Sequence, residues 1–277
     1  MDKIASQQPI VSPFMVFASF RCHGYLMWQL TKREIVGRYR GSMMGVLWAF
    51  LHPLALLTVY TVVFKGVFGA RWAGSSESAS EFGLFLFAGL IVHSFVSESV
   101  HRAPYLIVNN SNYVRKVIFP LEVLAWTSLG ASLFHAGMST ITLILLAYLL
   151  QHSLSWTVFL FPLAMFPLAL GTVGISWILA STGVFFRDIG HAIGPIMTIL
   201  LFLSPVFYPE SAMPESLRPL LHANPLTFFI NQTRDLLIWG KLPTGSEIVV
   251  YCVAGYGLAW LGLFWFQKSR KAFADVL

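Results

Sequence analysis

From Met43 onward, long apolar runs alternate with short basic or small-polar stretches, and the runs have the length of a bilayer crossing. Six crossings are expected. They lie at about Met43–Phe64, Phe82–Val100, Leu121–Leu150, Trp156–Thr182, Ile189–Pro209 and Ile248–Phe266. Pro53 falls early in the first and predicts a kink there. Gly194-Pro195 and Ser204-Pro205 interrupt the fifth. Between them lie a small-polar loop at Gly69–Glu81 and a mixed connection from Arg102 to Pro120, whose turn chemistry is Asn109-Asn110-Ser111-Asn112.

Outside the crossings the pattern changes. Residues 1 to 13 are polar and proline-marked, as a flexible tail would be, and no cleavable signal is expected there. Over Phe14–Tyr39, Phe17, Phe20, Trp28, Ile35 and Tyr39 interleave with Arg21, Lys32, Arg33 and Arg38, which predicts an amphipathic helix on the membrane surface. Glu210–Glu247 carries four prolines, and Leu226–Trp239 within it predicts a short amphipathic surface helix. The expected fold is an all-α integral membrane protein forming one transmembrane domain. Residues 1–42 are tail and interface helix, 43–267 a six-span bundle, and 268–277 a second tail.

Composition reinforces this. Only 11% of the 277 residues are charged, against about 25% in soluble domains, and 56% are hydrophobic. From Val123 to Phe186 no Lys, Arg, Asp or Glu occurs. The net charge of +6 does not point to nucleic acid, because the basic residues flank apolar runs as topology determinants do. With the N-terminus inside, thirteen of the 18 Lys and Arg fall on inner segments, which places both termini in the cytoplasm.

The candidate chemistry is sparse. No G-x-x-x-x-G-K-[ST] phosphate loop, no H-E-x-x-H and no G-x-S-x-G occurs. The eight histidines lack metal-ligand spacing, and Cys22 and Cys252 make no disulfide framework. Glu98 and Glu122 bracket the connection between the second and third spans, and no carboxylate is expected near a midplane to couple ion movement. The chain is therefore expected to be no enzyme by itself, to hold no metal or catalytic group, and to draw energy for transport from a partner. Aromatic residues make up 15% of the chain. Most suit lipid-facing packing, while Trp48, Tyr60, Phe64, Phe85, Phe202, Phe207, Tyr208 and Trp239 are candidates to line a path on which sugar C–H groups could stack.

Arg38, Tyr39, Ser42, Gly45, Trp48 and Pro53 form a basic segment, R-Y-x-x-S-x-x-G-x-x-W, and an early proline. With VFFRDI at 184–189, LSPVFYP at 203–209 and ANPLTFFINQTRDLLIWG at 223–240, the chain resembles the transmembrane permeases of ABC polysaccharide exporters. Within that type 2 exporter class it is most similar to the O-antigen permeases, beside the capsule and teichoic acid exporters. The resemblance implies a homodimer in the bacterial cytoplasmic membrane, bound to two copies of a separate ABC ATPase that holds ATP and Mg. It implies a polyprenyl-diphosphate-linked polysaccharide as cargo. Glu34, Arg38, Asn109, Asn110, Tyr113, Arg115, Lys116, Arg187 and Asp188 would then meet the ATPase, and the segment between the fifth and sixth spans would form outer gate helices. The alternatives are a related permease for a drug or another lipid, and an intramembrane enzyme of lipid or glycan metabolism.

Overall fold

A computed structural model describes residues 13–67, 79–114, 119–152, 154–242 and 245–277. The expected N-terminal tail, most of the Gly69–Glu81 loop, Arg115 and Lys116 lie outside them. The described residues are helical with no strands.

The first helix, α1 (Met15–Tyr39), bends at His23 and runs along the third crossing. It ends where Gly41 takes φ +87°, a left-handed turn at which the chain leaves α1. Helix α2 (Trp48–Thr61) follows and continues as a wider π turn over Val62–Val67. Pro53 lies inside α2, whose helical turns continue on both sides of it.

Helix α3 (Ala79–Arg102) is the central post. It is buried along most of its crossing, whereas α2 is buried along almost none of it. The short α4 (Ser111–Val114) follows. At 29 residues α5 (Val123–Gln151) is about 43 Å long, more than a bilayer's hydrocarbon, and stops at His152 in the left-handed region.

Helix α6 (Phe161–Phe185) crosses without a charge. Its hydroxyls turn back on the helix: Thr172 donates to the carbonyl of Leu168, Ser176 to Thr172 and Ser181 to Trp177. On α5, Thr127, Ser132, Thr140 and Thr142 do the same. This satisfies polar groups where water is absent.

Among the described residues five helical stretches are long and apolar enough to cross a membrane: Gly45–Gly66, Glu81–Tyr105, Val123–Gln151, Trp156–Phe185 and Gly245–Val276. The remaining expected crossing is shorter than the sequence suggests. Helix α7 (Ile189–Phe202) has 14 residues, about 21 Å, and the chain turns through Leu203–Pro209 with Val206 and Phe207 buried. Helix α8 (Arg218–Ala223) leads to α9 (Pro225–Arg234), whose start is capped by Asn224 Oδ1 accepting from the Leu226 N–H at 3.0 Å. Asn224 Nδ2 also donates to Ser204 Oγ at 2.8 Å, tying α9 to the end of α7.

Helix α9 departs from its expected place at the surface. It packs on α3 and α6, with Leu226, Thr227, Phe229, Ile230, Thr233 and Arg234 buried. Two of its buried polar side chains find acceptors there, Thr233 on the carbonyl of Phe229 and Arg234 on carbonyls beyond the helix.

Helix α10 (Gly245–Ser269) packs against α6 at backbone distance. A Cβ on Gly174 would run into the carbonyl of Leu258, and one on Gly262 into that of Gly174, so both positions require glycine. The short α11 (Phe273–Val276) closes the bundle, burying Phe273 against Phe185 and Phe266. Beside it, Arg270 Nη2 donates to the Phe119 carbonyl at 2.9 Å and Nη1 meets the Glu122 carboxylate at 3.3 Å.

Candidate functional site

Two hollows meet at the last turn of α3. The larger, about 900 Å³, lies between α2, α3 and α5, with Leu201 of α7 at one side. It follows α3 from Arg102 back to Phe87, about 22 Å at helical rise. The smaller, a cleft of about 410 Å³, opens between α1 and the turns that follow α3. His101 and Arg102 line both.

The large cavity is ionic at one end and aromatic at the other. At the ionic end Arg38 of α1 reaches over to α3, where its Nη1 donates to Glu98 Oε1 at 2.7 Å. His135 of α5 places Nδ1 2.9 Å from the same oxygen and 2.7 Å from Arg38 Nη1. Arg102, one turn on from Glu98, lies 3.7 Å from that oxygen and is also paired with Glu34 of α1. A carboxylate 18% exposed thus gathers charged partners from two helices and an imidazole from a third. Along the wall follow Ser97, Ser94, His52 and Ser139, with Trp48 and Phe95 offering ring surface. His93 Nε2 donates to the carbonyl of Met197 at 3.0 Å, which ties α3 to α7 beside the cavity.

At the opposite end Tyr60 leads into a cluster of rings. Tyr60 borders the cavity and lies 5.5 Å, centroid to centroid, from Phe207. Phe207 stacks on Phe64 at 4.5 Å and meets Phe202 at 5.6 Å, while Tyr208 donates its hydroxyl to the Phe202 carbonyl at 2.7 Å. Behind this cluster Arg234 is fully enclosed. Its Nε donates to the Phe85 carbonyl at 3.0 Å and its Nη2 to the Val206 carbonyl at 3.1 Å. Burial draws the Arg234 guanidinium down to about 9, against the pull of Glu210 and Asp235, so it stays charged at neutral pH.

The eight aromatic candidates therefore separate into three places. Trp48 and Tyr60 line the cavity. Phe64, Phe202, Phe207 and Tyr208 form the cluster beyond Tyr60, outside the cavity lining. Phe85 is buried, stacked on Trp239 at 5.0 Å, and the Lys241 ammonium lies 5.6 Å from the Trp239 ring.

The polar candidates separate too. Glu34, Asn109, Asn110 and Tyr113 converge on the smaller cleft, where Asn110 Nδ2 donates to the Leu106 carbonyl at 2.9 Å. Arg38 belongs to the larger cavity. Arg187 and Asp188 are exposed on the turn between α6 and α7, and Gly190 in the first turn of α7 lies close to Tyr105 at the cleft's edge.

Sequence reasoning passed over Arg102, His135 and Arg234 as site groups. The available signal was Glu98 itself, a carboxylate inside an apolar run, because such a group demands partners. Which residues answer that demand depends on helices 37 and 60 residues away.

The profile of the ABC-2 type transporter family matches residues 25–238. An O-antigen export system permease protein RfbA of Myxococcus xanthus is 29% identical over 252 residues, covering 90% of this chain and 94% of the relative. One of the same name from Klebsiella pneumoniae is 26% identical over 250 residues, covering 90% and 93%. The polysialic acid transport protein KpsM of Escherichia coli is 23% identical over 250 residues, covering 87% and 92%.

Proposed function

The chain belongs to the ABC-2 type transporter family, and within it we infer that this protein is the membrane permease subunit of an ATP-driven exporter of polyprenyl-diphosphate-linked, O-antigen-like polysaccharide. The near full-length similarity to two O-antigen export permeases carries this reading. Two copies of the chain bind two copies of a separate ATPase chain, which supplies ATP hydrolysis and holds the Mg ion. The assembly sits in the bacterial cytoplasmic membrane with both termini inside.

The chemistry of the chain suits that work. A glycan cannot shed its water to cross ~30 Å of hydrocarbon and needs a protein-lined route. The cavity along α3 offers hydroxyls and imidazoles for sugar hydroxyls, with Trp48 and Tyr60 as stacking faces. Many weak contacts of this kind let a repeating chain slide. The smaller cleft, with Glu34, Asn109, Asn110 and Tyr113, is the surface on which the ATPase acts.

Deleting the gene tests the reading. Lipid-linked glycan accumulates inside the cell, surface polysaccharide disappears, and the intact gene restores it. A deletion strain with normal surface polysaccharide overturns the assignment, and altered drug sensitivity alone would favour a drug permease instead.

A further inference from the structure

The two hollows are separated by four charged side chains arranged in a square. Helix α1 presents Glu34 and Arg38, four residues apart, and α3 presents Glu98 and Arg102, also four apart. Glu34 pairs with Arg102, and Arg38 pairs with Glu98 at 2.7 Å. The pairing runs antiparallel and fills both rungs with opposite charges. Around Glu98 the square is fixed to a third helix by His135. Arg38, Glu98 and Arg102 face the large cavity, while Glu34 and Arg102 face the cleft.

This arrangement permits one register. Elsewhere α1 packs chiefly along α5, so its tie to α3 depends on these long side chains. If α1 slid by one turn, about 5.4 Å, either Glu34 would face Glu98 or Arg38 would face Arg102. Both shifted positions set like charges together and leave the other rung without a partner. Helix α1 is therefore either seated or released, with no stable intermediate slip.

We propose that Glu34, Arg38, Glu98 and Arg102 form a two-rung ionic lock, the partition between cleft and cavity, and that its release joins the two spaces. The four act as positioning residues. Seated, they hold α1 across the ionic mouth of the cavity; released, they open that mouth toward the cleft and free Arg38, Arg102 and His135 to face whatever enters. The idea rests on the export reading in one respect only, that the cleft is where the partner ATPase acts.

The test uses the full complex with its ATPase in inside-out vesicles, carrying Cys22→Ser, Cys252→Ser and a single reporter, Ser139→Cys, in the cavity wall. A charged, membrane-impermeant maleimide is added from the cleft side. Labelling is slow with the lock intact and at least several-fold faster in Glu98→Gln and in Glu34→Arg. The double change Glu34→Arg with Arg102→Glu restores opposite charges on that rung and returns labelling to the slow rate. Equal labelling in the parent, both single variants and the double variant overturns the lock. Should Glu34→Arg fail to insert, Glu98→Gln, which preserves shape, decides alone. Glycan export by the parent complex is scored separately: its absence refutes the export reading whatever the labelling shows.

Discussion

Trp177, buried on α6, donates its indole N–H to the backbone carbonyl of Glu122 at 3.0 Å, joining the middle of one crossing to the first residue before another. The same ring meets Trp126 edge-on at 5.7 Å. Trp177→Phe retains an aromatic ring and loses the donor, with an expected cost of about 1–3 kcal/mol. Thermal unfolding of the purified protein in detergent should show a midpoint several degrees lower. An unchanged midpoint would mean that the bond is replaced.

The α6–α10 contact should be the least forgiving in the bundle. Gly174→Val or Gly262→Val forces the two backbones apart, because each new Cβ meets a carbonyl rather than a movable side chain. Either variant should insert yet lose most of its folded yield, measured by size-exclusion chromatography after solubilisation. Gly257, with open space where its Cβ would point, serves as the control: Gly257→Ala should leave the yield unchanged.

Arg234→Lys keeps the charge but replaces a planar fork by a point donor. Lysine cannot reproduce the directed bonds to the Phe85 and Val206 carbonyls, and the expected loss is about 2–4 kcal/mol. Protease cleavage in the Leu203–Pro209 turn should increase in this variant, as the turn loses its anchor on Val206.

Phe207 is the shared ring of the aromatic cluster, touching Tyr60, Phe64 and Phe202. Phe207→Ala should open that cluster as well as destabilise it, by about 3–5 kcal/mol. In proteoliposomes, efflux of a small hydrophilic dye should rise above that of the parent protein without ATP. Dye retention equal to the parent's would place the seal elsewhere.

Asp188 is exposed on the turn between α6 and α7, so Asp188→Lys should change stability by no more than about 0.5 kcal/mol. If this turn meets the ATPase, stimulation of ATP hydrolysis by the permease should fall several-fold while the unfolding midpoint stays put. Full stimulation would remove Asp188 from the contact.

The parts legible in sequence are those governed by local pattern. The charge-free stretch from Val123 to Phe186 yields α5 and α6 because crossing a bilayer demands long apolar helices. Helix α7 falls short of its expected span because it ends at Phe202 and the chain turns through Leu203–Pro209, where Pro205 has no N–H to carry a helix on. Helix α9 has the amphipathic pattern of a surface helix, yet its polar face is paid for by carbonyls of α3 and the α7 turn, which no local window contains. The same limit applies to the site. Trp48 and Tyr60 announce themselves as aromatics in a first span, whereas the convergence of Arg38, Glu98 and His135 is a property of three packed helices.

The bond from Arg234 to Phe85 spans 149 positions of sequence. During synthesis α3 is complete long before α9 exists, so this end of the protein waits for its closing piece. Its seat must be assembled by docking after the earlier segments have been made, a late and slow event because the loop it closes is long. Lesions in α9 should therefore yield chains with correct topology that never mature, recognised by membrane proteases as unfinished rather than misinserted.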